Sequence, residues 1–395
     1  MGKMVTVMNK LPIYFLIVLL SSLTGCKKES ATPDPFPTGA FIKSGEYLGE
    51  YYPTEDWREC APGEVGMDAG ILRDLNNEIA RLVEMDYDIH SVLIIKDGYI
   101  VAEQYYSKYF DEETWHKIHS CTKSFASALI GIAIREGYIE GTNEKMLDFF
   151  QDYDIENMSQ AKQRITLEHM LTMSAGLDWD ELDYLYSDPQ NTHYQWRRSD
   201  DMIKFVLDRP MEYTPGEVQD YNSGLSELLA AIIQKVAGIR ADSFAIDKLF
   251  NPLGIDDFYW PINKNGYARG GGGMRLVPRD MAKLGYLHVR NGKWENDQIL
   301  SEDWISESGK KHIISQHIPG FWYGYQFWVA EDGLMYTALG YAGQWIMIVP
   351  QYDLVAVFNN NFNEGVEDQE STPVRLFYEY VMPSVIEYDL LNEKD

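Results

Sequence analysis

Ser120-Cys121-Thr122-Lys123-Ser124-Phe125-Ala126-Ser127-Ala128-Leu129-Ile130-Gly131-Ile132-Ala133-Ile134 is the stretch on which the reading of this chain turns. Between Phe125 and Ile134 only Ser127 and Gly131 interrupt the apolar run, and Arg135-Glu136-Gly137 closes it with a basic last turn and a glycine stop. A helix that is apolar nearly all round belongs inside a domain. At its entrance a hydroxyl and an ammonium, Ser120 and Lys123, stand three residues apart, close to one turn, and so project from one face. A serine at a helix N-terminus, beside a lysine that the core partly desolvates, has the makings of an activated nucleophile.

Upstream, Met67 to Leu82 has helical spacing, and two apolar runs, His90–Lys96 and Tyr99–Tyr105, are joined by Asp97-Gly98, a strong hairpin signal. Downstream, from about 141 to 260, the pattern is helices and long loops. Thr166 to Met173 reads as a helix, Asp178 to Trp196 as a loop rich in Trp, Tyr and Asp, and Leu225 to Val236 as an apolar helix stopped at Gly238. Gly270 to Gly273 is a glycine run, and Pro278 opens another helix. Strands return at 327–329, 335–339, 344–349 and 354–358, before a last helix at Thr372-Pro373. The N-terminal hairpin and the C-terminal strands therefore share one antiparallel sheet. The fold class is α+β: one domain over 51–395, flanked by helices, with a mostly helical lobe inserted at about 141–260. The cleft between sheet and lobe is the natural place for a site.

With 395 residues, 45% of them hydrophobic and 13% aromatic, the chain is long and apolar enough for a large core. A net charge of −27 argues against nucleic acid or anionic headgroups as partners of its body. Residues 1–26 read as a signal peptide: Lys3 and Lys10, a short apolar run from Leu11 to Leu20, then Leu23-Thr24-Gly25-Cys26. That ending resembles a bacterial lipobox, which makes Cys26 the expected lipid anchor of an exported, membrane-attached protein. Residues 27–50, polar and proline-rich at their start, are expected to be a flexible tether. The two remaining cysteines, Cys60 and Cys121, make no disulfide framework, and Cys121 reads as a small core residue. No cofactor is indicated. The eight histidines contain no His-x-x-x-His pair, and no metal site is expected.

A Ser-x-x-Lys spacing alone is weak. The chain holds three, Ser120/Lys123, Ser159/Lys162 and Ser308/Lys311, and the last two lie in polar stretches that read as solvated surface. For Ser120 the plain alternative is a capping serine with a snorkelling lysine. Tyr221-Asn222-Ser223 follows about a hundred residues later and opens an apolar helix; a phenol whose pKa falls beside positive charge relays protons well. The plain alternative there is an ordinary half-buried tyrosine. Gly340-Tyr341-Ala342-Gly343-Gln344 heads a strand whose small residues let a substrate approach the backbone, or else it is simply a glycine turn.

Taken in this order, the three motifs resemble the penicillin-recognising serine hydrolases, and among them the class C β-lactamase-related family, which also holds esterases, D-amino-acid peptidases and 6-aminohexanoate-dimer hydrolase. The similarity runs from about Trp57 to the C-terminus and takes in residues 165–177, 251–255 and 271–280. The resemblance implies Ser120 as acylated nucleophile, Lys123 as base or proton relay, and Tyr221 as partner base and leaving-group acid. It implies an oxyanion hole from the N–H groups of Ser120 and Gln344, with Ser223, Tyr341 and Gly343 against the substrate. β-Lactamases and D,D-peptidases usually carry Lys-Thr-Gly at the third motif, where this chain has Tyr341-Ala342-Gly343. Without that lysine a charge-assisted contact to an anionic substrate is missing, which favours carboxylic esters or small amides. The alternatives are a D,D-peptidase or weak β-lactamase acting on cell-wall peptides, and a non-catalytic binding protein on the same fold. Trp179, Tyr184, Tyr186 and Trp196 in the long loop are either an aromatic wall over the site or simple packing.

Overall fold

The structure is a computed structural model that describes residues 40–363, 366 and 368–386. The signal-peptide and lipobox readings lie outside the described residues. Helix α1 (Ala69–Glu84) starts at Asp68, whose carboxylate accepts from the N–H groups of Gly70 and Ile71, and buries Leu72, Leu75, Ile79 and Leu82. Strands β1 (Ile89–Lys96) and β2 (Tyr99–Tyr105) form the expected hairpin, with Asp97 and Gly98 both at positive φ. After β3 (His116–His119) comes α2 (Thr122–Arg135), the apolar helix. The lobe carries α3 (Leu167–Leu171), α4 (Thr192–Arg198), α5 (Met202–Leu207), α6 (Ser223–Ala237) and α7 (Ala241–Ala245). Then follow β4 (Met274–Leu276), which pairs with β3, α8 (Pro278–Val289), β5 (Lys293–Trp294), β6 (Asp297–Gln298) and α9 (Glu302–Ser308). The chain finishes with β7 (Ile313–Ile314), β8 (Phe321–Tyr323), β9 (Trp328–Ala330), β10 (Tyr336–Gly340), β11 (Gln344–Val349), β12 (Leu354–Asn360) and α10 (Thr372–Leu376).

The main sheet is antiparallel, in the order β2-β1-β12-β11-β10-β9-β8-β7, so the N-terminal hairpin is zipped to the C-terminal strand. Its central strands are buried on both faces, which is why they read as unbroken apolar runs. Val92, Ile94, Met347, Ala356 and Phe358 point to the layer holding α1 and the C-terminal helical segment. Their neighbours Leu93, Ile95, Ile346, Ile348, Val355 and Val357 point to the layer holding α2 and α8. The register is pinned because a slip of one residue would exchange the two sets.

The two interruptions in the apolar run of α2 have separate causes. The Ser127 hydroxyl donates to the carbonyl of Tyr325 at 2.9 Å, satisfying a buried polar group. At Gly131 a Cβ would stand 2.6 Å from the Trp304 ring, so only glycine lets α9 lie this close. Each large apolar side chain that α2 buries fully, such as Phe125, Leu129 and Ile132, contributes roughly 1.5–3 kcal/mol as an upper bound.

Two expectations are corrected. Residues 41–50 are not simply a tether: Phe41 is buried, Ile42 bridges Ala102, and Lys43 pairs with Glu103 at 3.1 Å and Glu59 at 2.8 Å. This strap follows β2, and pairing across some sixty residues leaves no local sign in a short segment that merely follows a proline-rich one. The other two Ser-x-x-Lys pairs are not wholly solvated either. Lys162 is buried, its ammonium donating to the carbonyls of Glu156 and Leu207, and Ser308 is buried with its hydroxyl on the Trp304 carbonyl. Lys162 thus stabilises backbone carbonyls that a loop would otherwise leave unpaired.

Candidate active site

Strand β3 delivers the chain to the entrance of α2 through His119, which adopts a left-handed φ of 47°. Ser120 follows in the turn, half-exposed, and its carbonyl accepts the Lys123 N–H at 2.9 Å. The capping alternative fails: the Ser120 side chain caps nothing and instead accepts a hydrogen bond from Lys123 Nζ at 3.0 Å. Lys123 is buried at 1% exposure; its ammonium also donates to the carbonyl of Gly271 and lies 4.9 Å from the centroid of the Tyr221 ring. Burial pushes its pKa down to about 8, against the pull of Glu181 and Glu227.

Tyr221, just ahead of α6, is buried beside Trp328, ring stacked on ring at 5.6 Å, with its hydroxyl close enough to Ser120 to feel it electrostatically. Ser120, Lys123 and Tyr221 are therefore brought together. The expected fall in the tyrosine pKa is overturned: burial, then Tyr323 and Glu181, lift it well above the ordinary value, and the nearby Ser120 only moderates this. At neutral pH the phenol keeps its proton.

Asn222 caps α6 by accepting the Leu225 N–H, and Ser223 begins the helix. Ser223 does not face open space. It is buried, its hydroxyl donating to Glu181 Oε1 at 2.6 Å and its N–H to Glu181 Oε2 at 2.8 Å. The hydroxyl expected against the substrate is committed to this carboxylate.

Gln344 opens β11, buried, with its side chain held by the Asn360 carbonyl and by Asn359 Nδ2 at 2.9 Å. Its own carbonyl accepts from the Cys121 thiol at 3.5 Å, so this strand end abuts the residue after Ser120. The approach depends on Gly340, where a Cβ would stand 2.4 Å from the Ile118 carbonyl on β3. Ala342 and Gly343 turn at φ 65° and 80°, and Tyr341 projects outward with its ring 5.6 Å from His119 and 5.9 Å from Tyr186. The aromatic wall is thus only partly realised. Tyr186 reaches the site, whereas Trp179 and Trp196 pack edge to face in the core, and the supposed loop ends in α4, capped by Asn191.

Two carboxylates escaped the reading of the sequence. Glu181 accepts from Ser223, from Trp179 Nε1 at 2.9 Å and from the Tyr186 hydroxyl at 3.2 Å. Burial alone would raise its pKa, but His193, Lys123 and the Ser223 hydrogen bonds outweigh it and hold the group ionised. Glu227 on α6 accepts from Asn263 Nδ2 at 2.8 Å and from the Gly271 N–H at 3.2 Å; burial lifts its pKa to about 7. Gly271 therefore faces Glu227 with its N–H and Lys123 with its C=O. Among the described residues no group of His, Cys, Asp or Glu has the arrangement of a metal site.

The family model described as Beta-lactamase matches residues 79–378, which span α1 to the C-terminal helical segment. The chain belongs to the beta-lactamase family. As a member it is a hydrolase of the β-lactamase and transpeptidase type, with the three motifs inside the matched span. A relative is the 6-aminohexanoate-dimer hydrolase of Paenarthrobacter ureafaciens, 26% identical over 337 residues, covering 78% of this chain and 82% of the relative. Among solved structures, EstCE1, a hydrolase with promiscuous acyltransferase activity, superposes with a TM-score of 0.66 at 16% identity, covering 79% of this chain and 98% of that one. A family VIII carboxylesterase superposes with a TM-score of 0.63 at 15% identity, covering 80% and 98%. These two likenesses are of fold.

Proposed function

We propose that the chain hydrolyses carboxylic esters or small amides through an acyl-enzyme on Ser120. The observation that carries this reading is the buried Lys123 ammonium, 3.0 Å from the Ser120 hydroxyl with its pKa brought down to about 8. In its neutral form Lys123 takes the Ser120 proton as Oγ adds to the substrate carbonyl. The N–H groups of Ser120 and Gln344 receive the developing oxyanion. Tyr221, still protonated, passes its proton to the departing oxygen or nitrogen and is reprotonated through Lys123. Water then attacks the acyl-enzyme by the same route in reverse, releasing the acid and restoring Ser120. The 6-aminohexanoate-dimer hydrolase relative and the carboxylesterase fold neighbour support ester and amide substrates, as does the absence of a lysine from Tyr341-Ala342-Gly343.

The test is the intact mass of the protein after exposure to a fluorophosphonate, with Ser120→Ala alongside. One adduct on the wild type and none on the variant is expected. A well-folded wild type that takes no adduct would sink the reading and leave the binding-protein alternative. Saturation by a penicillin with slow release would favour the peptidase alternative instead.

The sequence Leu23-Thr24-Gly25-Cys26 further supports an exported protein carried on a lipid at Cys26. In a bacterial host, Cys26→Ser is expected to move the protein from the membrane pellet to the soluble fraction; an unchanged distribution would rule the anchor out.

A further inference from the structure

A cavity of about 220 Å³ lies between α4 and the loop from Pro261 to Arg269, lined by Arg197, Met202, Pro261, Ile262, Asn263, Lys264 and Arg269. Three of its seven lining residues are cations and none is an acid, in a chain whose net charge is −27. Arg197, Lys264 and Arg269 form no ion pair among the described residues, and Arg269 Nε is buried with no hydrogen-bond partner. A buried guanidinium nitrogen left without an acceptor is costly unless something supplies one. The cationic surface continues outside the cavity, where Lys117 and Arg275 face each other across β3 and β4, both exposed. Arg197 and Arg275 add to burial in holding Lys117 below its ordinary pKa, which puts these side chains within reach of one field.

The cavity adjoins the site. A Cβ on Gly273 would stand 3.3 Å from Arg269 Nη1, and the Gly273 N–H donates to the His119 carbonyl, one residue before Ser120, at 3.3 Å. On α4, His193 meets the ring of Tyr186 at 4.9 Å, and Arg197 follows on the same face one turn later. Asn263 touches both places: it lines the cavity and donates to Glu227, which in turn accepts from Gly271 beside Lys123. The volume is too small for a whole ligand and suits one substituent.

Resting on the hydrolase reading above, we propose that this cavity binds the anionic group of the substrate, a carboxylate carried a short chain away from the scissile ester or amide. The missing lysine at the third motif would have recognised an anion from the start of β11; here the cations stand instead between α4 and the 261–269 loop. Arg197 and Arg269 present fixed planar forks that match a carboxylate in two bonds, which Lys264 at the rim complements as a point charge.

The experiment compares 4-nitrophenyl esters in matched pairs, one member ending in a free carboxylate and its twin in the neutral amide, with the carboxylate placed on the acyl side in one pair and on the alcohol side in another. At least a tenfold preference in kcat/KM for the charged member of one pair is expected, falling about tenfold in Arg269→Gln and in Arg197→Gln through KM. This ratio is insensitive to a partly unfolded preparation, which lowers both members equally. No preference for the charged member, or a preference that neither variant reduces, overturns the proposal while the hydrolase reading stands. Should no ester be turned over, the hydrolase reading is what has failed, and calorimetry with adipate then decides the cavity: binding lost in Arg269→Gln supports it, and no binding to the wild type overturns it. Inorganic phosphate separates a substrate's anion from a free one. Phosphate that raises KM for the charged ester alone is expected; phosphate that binds without affecting that KM makes the cavity a free-anion site and overturns the assignment to substrate.

Discussion

Lys123 carries most of what is chemical about this site, and its environment sets a pH dependence. Because burial brings its pKa down to about 8, the neutral amine, the form the proposed mechanism requires as base, grows as pH rises through that value. The rate is expected to rise along an acidic limb with a midpoint of about 8 and to level off above it. Glu181 and Glu227 oppose the shift, so removing one of their charges must lower the Lys123 pKa further. In Glu181→Gln the midpoint of kcat/KM should therefore move to lower pH, with a stability loss of about 1–3 kcal/mol, since the amide has one acceptor for the donors now sharing two carboxylate oxygens. A midpoint that stays or moves up would contradict this account of Lys123. The serine and lysine of this site were legible because a polar pair at the mouth of an apolar helix stands out. Glu181 and Glu227 were not. Each is one acid among 61 Asp and Glu, and burial through contacts with residues tens of positions away leaves no trace nearby. Ser223 was misjudged for the same reason, since its partner Glu181 lies 42 residues earlier in the chain.

At the scale of elements, the site is the meeting of two strand ends with a helix entrance, and Gly340 governs how closely they meet. A valine there would push β10 away from the Ile118 carbonyl and carry the Tyr341–Gly343 turn and Gln344 with it. Gly340→Val is expected to cost about 1–3 kcal/mol in urea unfolding. Its loss of kcat/KM should exceed the loss of folded fraction, because a misplaced oxyanion donor alone costs roughly a hundredfold. Equal losses would mean that Gly340 matters only for folding. The strands around it were readable in the sequence: alternation was hidden by burial on both faces, but Asp97-Gly98 and the run lengths fixed their type. The strap at 41–50 and the helix at 192–198 were hidden, the first because its pairing partner lies some sixty residues away and the second by aromatic density that read as a loop.

Over the whole molecule, buried carboxylates set how stability responds to pH. Burial lifts Glu227 to about 7 and Asp220 and Asp353 to about 6, so each holds a proton in the folded state that the unfolded chain has already released. Their contribution is present below the ordinary carboxyl range and is lost as pH rises through these values. Glu103 runs the other way: burial would raise its pKa, but Arg279 and Lys43 outweigh it, and that stability fades as pH falls through the lowered value. Burial also pushes His116 and His288 down to about 3 and His119 down to about 4, so these imidazoles add stability as pH rises towards the ordinary histidine value. The melting temperature should therefore peak between about pH 6 and 7 and decline above it, helped by the self-repulsion of an acidic chain. Glu227→Gln should flatten the decline; a melting temperature that climbs steadily to pH 8 would refute it. The sheet order has a consequence of another kind, in time. β1 is flanked by β2 on one side and β12 on the other, so a ribosome must build more than 250 further residues before that second edge has its partner. Until then a strand carrying Val92, Leu93, Ile94 and Ile95 stays open to any other nascent chain, so the slowest and most aggregation-prone interval in the life of this protein falls just before its last strand emerges.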